Sequence, residues 1–194
     1  MLISIAPPAF DVVLDIVYAT AANFTGVPVY AHPGCSMHAE AVVLLERAIA
    51  LARPHGLRFK IFDAFRPAEA QWVLWNHTPD PDFLADPRRG SPHSRGVAID
   101  LTLVEAASGQ ELDMGTPFDH FSPRSHHGSE AVSPLAQRNR LLLIGLMTTA
   151  GWDYYRKEWW HYQMFDSRRF PVLSDTVLSS PMMPRGRDGR GDRI

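Results

Sequence analysis

The chain has 194 residues, 45% of them hydrophobic, which is enough for one substantial core and too little for two full domains. Its 19 basic and 21 acidic residues leave a formal net charge of -2, so nothing points to a nucleic acid or an anionic membrane, and a small-molecule partner is expected. Cys35 is the only cysteine, which excludes an intrachain disulfide and a thiolate metal cluster; any metal must sit on imidazole and carboxylate.

Met1 to Asp15 has no basic leader and carries Asp11, Asp15, Pro7 and Pro8, so it does not read as a secretion signal. No stretch approaches the roughly 18 uninterrupted apolar residues of a membrane span, and a cytoplasmic protein is expected. Val12 to Val17 reads as a strand, and Asn23-Phe24-Thr25-Gly26 as a turn. Ser36 is a plausible N-cap for an amphipathic helix with Val42, Leu45, Ile49 and Ala52 on one face, stopped by Gly56. Leu57 to Ala64 alternates as a strand does, and Pro67 suits the first turn of a helix to about Asn76. Asn76 to Ser91, with its prolines and aspartates, is a loop. Val97 to Leu103 then alternates again: Val97, Ile99, Leu101 and Leu103 share one face, while Ala98, Asp100 and Thr102 share the polar other. Ser108-Gly109 reads as a hairpin tip leading to a partner strand near Glu111 to Met114. Ser133-Pro134 opens a helix that runs to Ala150 and ends at Gly151, and Trp159 to Phe165 is the last strand. Pro181 to Ile194, rich in arginine and glycine, reads as a mobile tail. Strands and helices without regular βαβ alternation predict an α+β domain with an antiparallel or mixed sheet and helices packed on it.

Two segments carry chemistry. Ser91-Pro92-His93-Ser94-Arg95-Gly96-Val97-Ala98-Ile99-Asp100 sets an imidazole on a loop and a carboxylate in the strand that follows, and Glu158-Trp159-Trp160-His161 sets a second imidazole three residues after a carboxylate. Two histidines and one carboxylate are a ligand set of catalytic zinc, which leaves the fourth position to water. Such a water still needs a base, and Glu158 is the candidate. In a straight strand residues three apart face opposite sides, so Glu158 and His161 converge only if the backbone bends near Trp159. Arg66, between a strand and a helix, is a permanent cation suited to an oxyanion. Among the remaining histidines, only the pair His126-His127 beside Arg124 has the placement to line a cleft.

These residues also resemble a family. Ser-x-His-x-x-Gly-x-Ala-x-Asp, followed much later by Glu-x-x-His, is similar to the zinc peptidases that include D-alanyl-D-alanine dipeptidases, certain D,D-carboxypeptidases and the non-peptidase hedgehog signalling domain. The likeness covers nearly the whole chain and is greatest to the dipeptidases, although Phe65 and Pro92 stand where the pattern has tyrosine and a smaller or polar residue. The resemblance implies one zinc on His93, Asp100 and His161, Glu158 as general base and acid, and Arg66 stabilising the transition state. It further implies Asp119 for the substrate ammonium, with Ser91 and Tyr18 near the other polar ends of a free dipeptide. A zinc dipeptidase domain over residues 1–180, acting in peptidoglycan metabolism, is the resulting expectation. Two alternatives are a murein D,D-carboxypeptidase or endopeptidase acting on longer peptides, which an absent export signal disfavours, and a non-catalytic zinc module, which would have no need of Glu158 and Arg66.

Overall fold

The computed structural model describes residues 1–186. Among them the strands are β1 (Leu2–Ser4), β2 (Val12–Leu14), β3 (Ser36–His38), β4 (Leu57–Asp63), β5 (Ala98–Glu105), β6 (Asp153–Tyr154) and β7 (His161–Gln163), and the helices are α1 (Ala39–Ala52), α2 (Ala68–His77) and α3 (Pro134–Ala150). One sheet runs β2-β4-β5-β7-β6, with β2 parallel to β4 and every other pair antiparallel; β1 and β3 form a separate ribbon. The helices α1 and α3 pack on each other, α1 also on β4 and α3 on β6. This is the α+β arrangement with a mixed sheet that the sequence predicts. No described helix is long and apolar enough to cross a membrane.

Local chemistry explains the element ends. The Ser133 hydroxyl accepts from the Ala136 amide at 3.1 Å, Pro134 needs no partner for an N–H, and Gly151 closes α3 at φ 106°. The predicted apolar face of α1 is buried, but its cap is His38 rather than Ser36, because Ser36 to His38 pairs with β1 and stays extended. Pro67 likewise sits just before α2 rather than inside it. The expected strand over Val12 to Val17 ends at Leu14; a tight turn over Val17–Ala19 then directs Tyr18 inward, where it is 1% exposed.

The face of β5 that carries Ala98, Asp100 and Thr102 is polar, as expected, and as deeply buried as the apolar one, so β5 is covered on both sides. Two expectations need correction. The partner strand near Glu111 reduces to one bridge between Val104 and Glu111, because the Asp113 carboxylate accepts from the Gly115 amide at 2.8 Å and turns the chain away. The last strand is only His161–Gln163, preceded by turns.

The first residues of the expected tail are packed against the domain. Met182 and Met183 are buried, and their amides donate to the Asp175 carboxylate at 2.8 and 3.0 Å. The Ala31 amide in turn donates to the Met182 carbonyl at 2.7 Å. Residues 187–194, the remainder of the expected tail, lie outside the described residues.

Gly96 ends the turn that carries His93. Its φ is 68°, its amide donates to the His93 carbonyl at 2.9 Å, and an added Cβ would lie 2.5 Å from Leu2 Cδ2 and 3.2 Å from the His38 amide nitrogen. Gly96→Ala is therefore expected to cost about 1–3 kcal/mol, read as a lower urea midpoint at unchanged m-value. An unchanged midpoint would show that the turn relaxes without strain.

Candidate metal centre and substrate cavity

The register of the sheet assembles the centre. Asp100 lies opposite His161 on β7 and opposite Asp63 on β4, so three polar side chains form a row across one face. His93 arrives from the turn before β5. The ligand-capable atoms of His93, Asp100 and His161 all lie within 4.8 Å of one another, and among the described residues no other group of histidine, cysteine or carboxylate side chains converges in this way. Asp100 Oδ2 is 3.3 Å from His93 Nε2, and Asp100 Oδ1 is 3.0 Å from His161 Nδ1. The two imidazole nitrogens are 3.1 Å apart.

All three side chains are buried. His93 Nδ1 is 2.7 Å from the Ala64 carbonyl, which can only accept, so the proton sits on Nδ1 and Nε2 offers a lone pair to the centre. Burial alone would push the Asp100 carboxyl up, but the two facing imidazoles outweigh it and hold the group well below the usual carboxylate range. Converging imidazole and carboxylate donors with no thiolate suit zinc.

Glu158 meets the requirement for a bend. The chain from Tyr155 to Trp160 is turned rather than extended: the Glu158 amide donates to the Tyr155 carbonyl at 3.1 Å and the His161 amide to the Glu158 carbonyl at 3.4 Å. The carboxylate thereby swings to the ligand side, with Oε2 at 3.9 Å from His161 Nδ1. Burial raises its proton affinity well above the usual range, and Asp100 and Asp119 raise it further against the opposing charge of Arg66.

The Arg66 guanidinium is locked on three sides. Its Nε donates to Asp63 Oδ2 at 2.8 Å, and its two terminal nitrogens donate to Gln71 Oε1 at 3.1 Å and Asp100 Oδ2 at 3.3 Å. Its face lies 5.0 Å from the Tyr18 ring centroid. Tyr30 donates to the other oxygen of Asp63 at 3.0 Å, so the carboxylate that holds Arg66 is itself fixed.

Tyr18 donates to Asp119 Oδ2 at 2.8 Å, and Asp119 adopts φ 56°, a left-handed conformation that aspartate tolerates better than most residues. Burial, with the negative charge of Asp100, pushes the Asp119 carboxyl up to about 8 despite the Tyr18 hydroxyl and Arg66. Ser91, whose hydroxyl accepts from the His93 amide at 3.2 Å, is also buried. Tyr18, Arg66, Ser91, His93, Asp100, Asp119, Glu158 and His161 all line a single cavity of about 210 Å³. Pro92 lines it too, whereas Phe65 is buried away in the core.

Sequence reasoning missed several contributors. Pro81 to Ala85, from the segment read only as a loop, forms one wall with Tyr155 and Trp160, and Gln163 completes the lining. Tyr155 donates to the Asp82 carbonyl at 3.0 Å and Lys157 pairs with the Asp82 carboxylate at 2.5 Å, tying that wall to the Glu158 turn. Asp63 and Gln71 had one sequence signal, their spacing three and five residues from Arg66 around a strand-to-helix junction.

His126 and His127 do not line this cavity. His127 lines a smaller hollow of about 110 Å³ with Arg140. Its amide donates to the Arg156 carbonyl at 2.9 Å, and burial lowers its proton affinity to about 4, so a neutral group packs beside the Glu158 turn. Arg140 donates to the carbonyls of Met114, Arg124 and His126 at 2.7, 2.8 and 3.1 Å and thereby gathers the segment that carries Asp119.

Comparison with known proteins matches residues 2–181 to the model of the D-Ala-D-Ala dipeptidase family. The chain is 43% identical over 165 residues to a D-alanyl-D-alanine dipeptidase of Escherichia coli (strain K12), covering 85% of each chain. It is 34% identical over 175 residues to a D-alanyl-D-alanine dipeptidase of Enterococcus faecium, covering 78% of this chain and 85% of the relative. A relative of the same description from Streptomyces coelicolor is 32% identical over 171 residues, covering 77% of this chain and 84% of the relative.

Proposed function

The chain belongs to the D-Ala-D-Ala dipeptidase family of peptidases, and from that premise we propose that its single domain hydrolyses free D-alanyl-D-alanine to two molecules of D-alanine at the His93, Asp100 and His161 centre. The observation that carries the reading is the convergence of those three ligands, Glu158, Arg66 and Asp119 on one small cavity. A zinc ion held there would polarise the scissile carbonyl and acidify the attacking water.

The chain's own residues supply the rest. Glu158, with its raised proton affinity, takes the proton of the attacking water and returns it to the leaving amine. Arg66 is already desolvated and locked by Asp63, Gln71 and Asp100, so it meets the developing oxyanion without reorganising. Asp119, held by Tyr18, pairs with the substrate ammonium, which must be matched once it leaves water. Ser91 lines the same cavity and is assigned to the substrate's remaining polar end. The Pro81 to Ala85 wall, fastened to the Glu158 turn, limits peptide length.

D-Alanine release tests this directly. Free D-Ala-D-Ala is expected to turn over, while the same dipeptide carrying an N-acyl group or further residues is expected to be a poor substrate. Preference for the longer peptides would move the assignment to a D,D-carboxypeptidase.

A pH dependence follows from Asp119. Only its ionised form pairs with an ammonium, and burial with the charge of Asp100 raises its carboxyl above the usual range. kcat/KM is expected to rise with pH as Asp119 and Glu158 ionise and to fall as the substrate's own ammonium, ordinarily near about 8, is lost. Asp119→Asn should raise KM and remove the acidic limb that this group supplies. An identical profile in the variant would exclude Asp119 as the ammonium partner.

A further inference from the structure

His161 has two ring nitrogens, and only one can face the centre. Nδ1 lies 3.0 Å from Asp100 Oδ1 and 3.1 Å from His93 Nε2, so Nδ1 is aimed at the shared position. The opposite nitrogen, Nε2, lies 3.2 Å from Oε1 of Gln163. A neutral imidazole donates at one nitrogen and accepts at the other, so the partner of Nε2 decides whether Nδ1 offers a lone pair or a proton. For His93 that choice is made by the Ala64 carbonyl, which cannot donate. For His161 only a side chain is available.

The placement of Gln163 is a direct product of the strand. It follows His161 by two residues on β7, so the period of two puts both side chains on one face, and the residue across from it on β5 is Ala98, with only a methyl group. Gln163 also lines the cavity beside Glu158.

We propose that Gln163 is a positioning residue of the metal centre: its side-chain carbonyl accepts the Nε2 proton of His161, fixes that tautomer and presents Nδ1 as a ligand. The inference rests on the metal reading given under Proposed function and on nothing about the peptide substrate. A metal-bound histidine whose outer nitrogen has an acceptor is better oriented and more basic, and loss of such an acceptor typically weakens metal binding about 10–100-fold.

Two substitutions separate acceptance from its alternatives. Gln163→Leu removes both the acceptor and the donor of the amide; Gln163→Glu keeps an acceptor and removes the donor. Zinc affinity is read by competition with a chromophoric chelator at fixed pH, and geometry by the visible absorption of the cobalt-substituted protein. Melting of the metal-free proteins confirms that all three are folded. Zinc binding by Gln163→Leu is expected to be about 10–100-fold weaker than wild type, with an altered cobalt spectrum. Gln163→Glu is expected to bind zinc at least as tightly as wild type with the wild-type spectrum. Wild-type affinity and spectrum in Gln163→Leu would overturn the proposal, as would weaker binding by Gln163→Glu than by Gln163→Leu, since the amide would then be donating. Failure of the wild-type protein itself to bind one zinc would instead remove the metal reading on which the proposal stands.

Discussion

Glu158→Gln is expected to lower kcat for D-Ala-D-Ala by about 10²- to 10⁴-fold while zinc content and zinc affinity stay at the wild-type level. The substitution preserves volume and removes the charge and the ability to take a proton. Glu158 lies outside the three converging ligands, with Oε2 at 3.9 Å from His161 Nδ1, so metal retention is part of the expectation. The same change should alter the pH dependence of stability in the metal-free protein. A carboxyl whose proton affinity is raised by folding binds its proton more tightly in the native state, so stability declines as pH rises from the ordinary carboxylate range towards the raised value. Glu158→Gln abolishes its share of that decline, leaving the shares of Asp119 and Asp63. Turnover within a few-fold of wild type at full zinc occupancy would mean that another group takes the proton.

Arg66 has the second large effect, and two variants separate its two tasks. Arg66→Ala leaves Asp63 and Asp100 buried without their shared counter-charge, and is expected to cost about 3–5 kcal/mol of stability, so loss of activity in it would be ambiguous. Arg66→Lys retains the charge, but a single ammonium cannot reproduce a planar fork that reaches Asp63, Gln71 and Asp100 at once. It is expected to remain more stable than the alanine variant in urea and still to lose about 10²- to 10³-fold in kcat, with a small change in KM. A larger effect on KM than on kcat would show that Arg66 binds the ground state of the substrate and does not act selectively on the transition state.

The parts of the fold that were legible in the sequence are those where local chemistry and burial agree. Helix α3 is an example: Ser133, Pro134 and Gly151 mark its ends, and they are the residues that satisfy its terminal groups. The strand β5 is legible to within a residue at its start, and so is the polar character of one face, but not the burial of that face. Alternation reports chemical character and cannot report that a second layer of chain, here near residues 111–118, covers that face. Strands β1, β3 and β6 have two or three residues each, too few for any period to register. The pairing of β1 with β3 is also what moved the cap of α1 from Ser36 to His38.

In the candidate site, the residues named from chemistry and resemblance share one cavity, and the bend demanded between Glu158 and His161 is present as a turn. What escaped sequence reasoning were the partners of those residues. Asp63, Gln71 and Gln163 are polar side chains whose meaning depends on what tertiary packing brings within about 3 Å, an interaction range that sequence spacing does not encode across strands. The cavity wall at Pro81 to Ala85 escaped for a different reason: a proline- and aspartate-rich loop has no periodicity from which its inward face could be read.

The most direct test of the account is metal dependence of the dipeptidase reaction. The protein would be stripped with a chelator, and D-alanine release from D-Ala-D-Ala followed as zinc is titrated back. The expected result is no turnover by the stripped protein and a linear recovery that saturates at one zinc per chain. Full turnover by the stripped protein, or one bound zinc with no hydrolysis of the dipeptide, would contradict it.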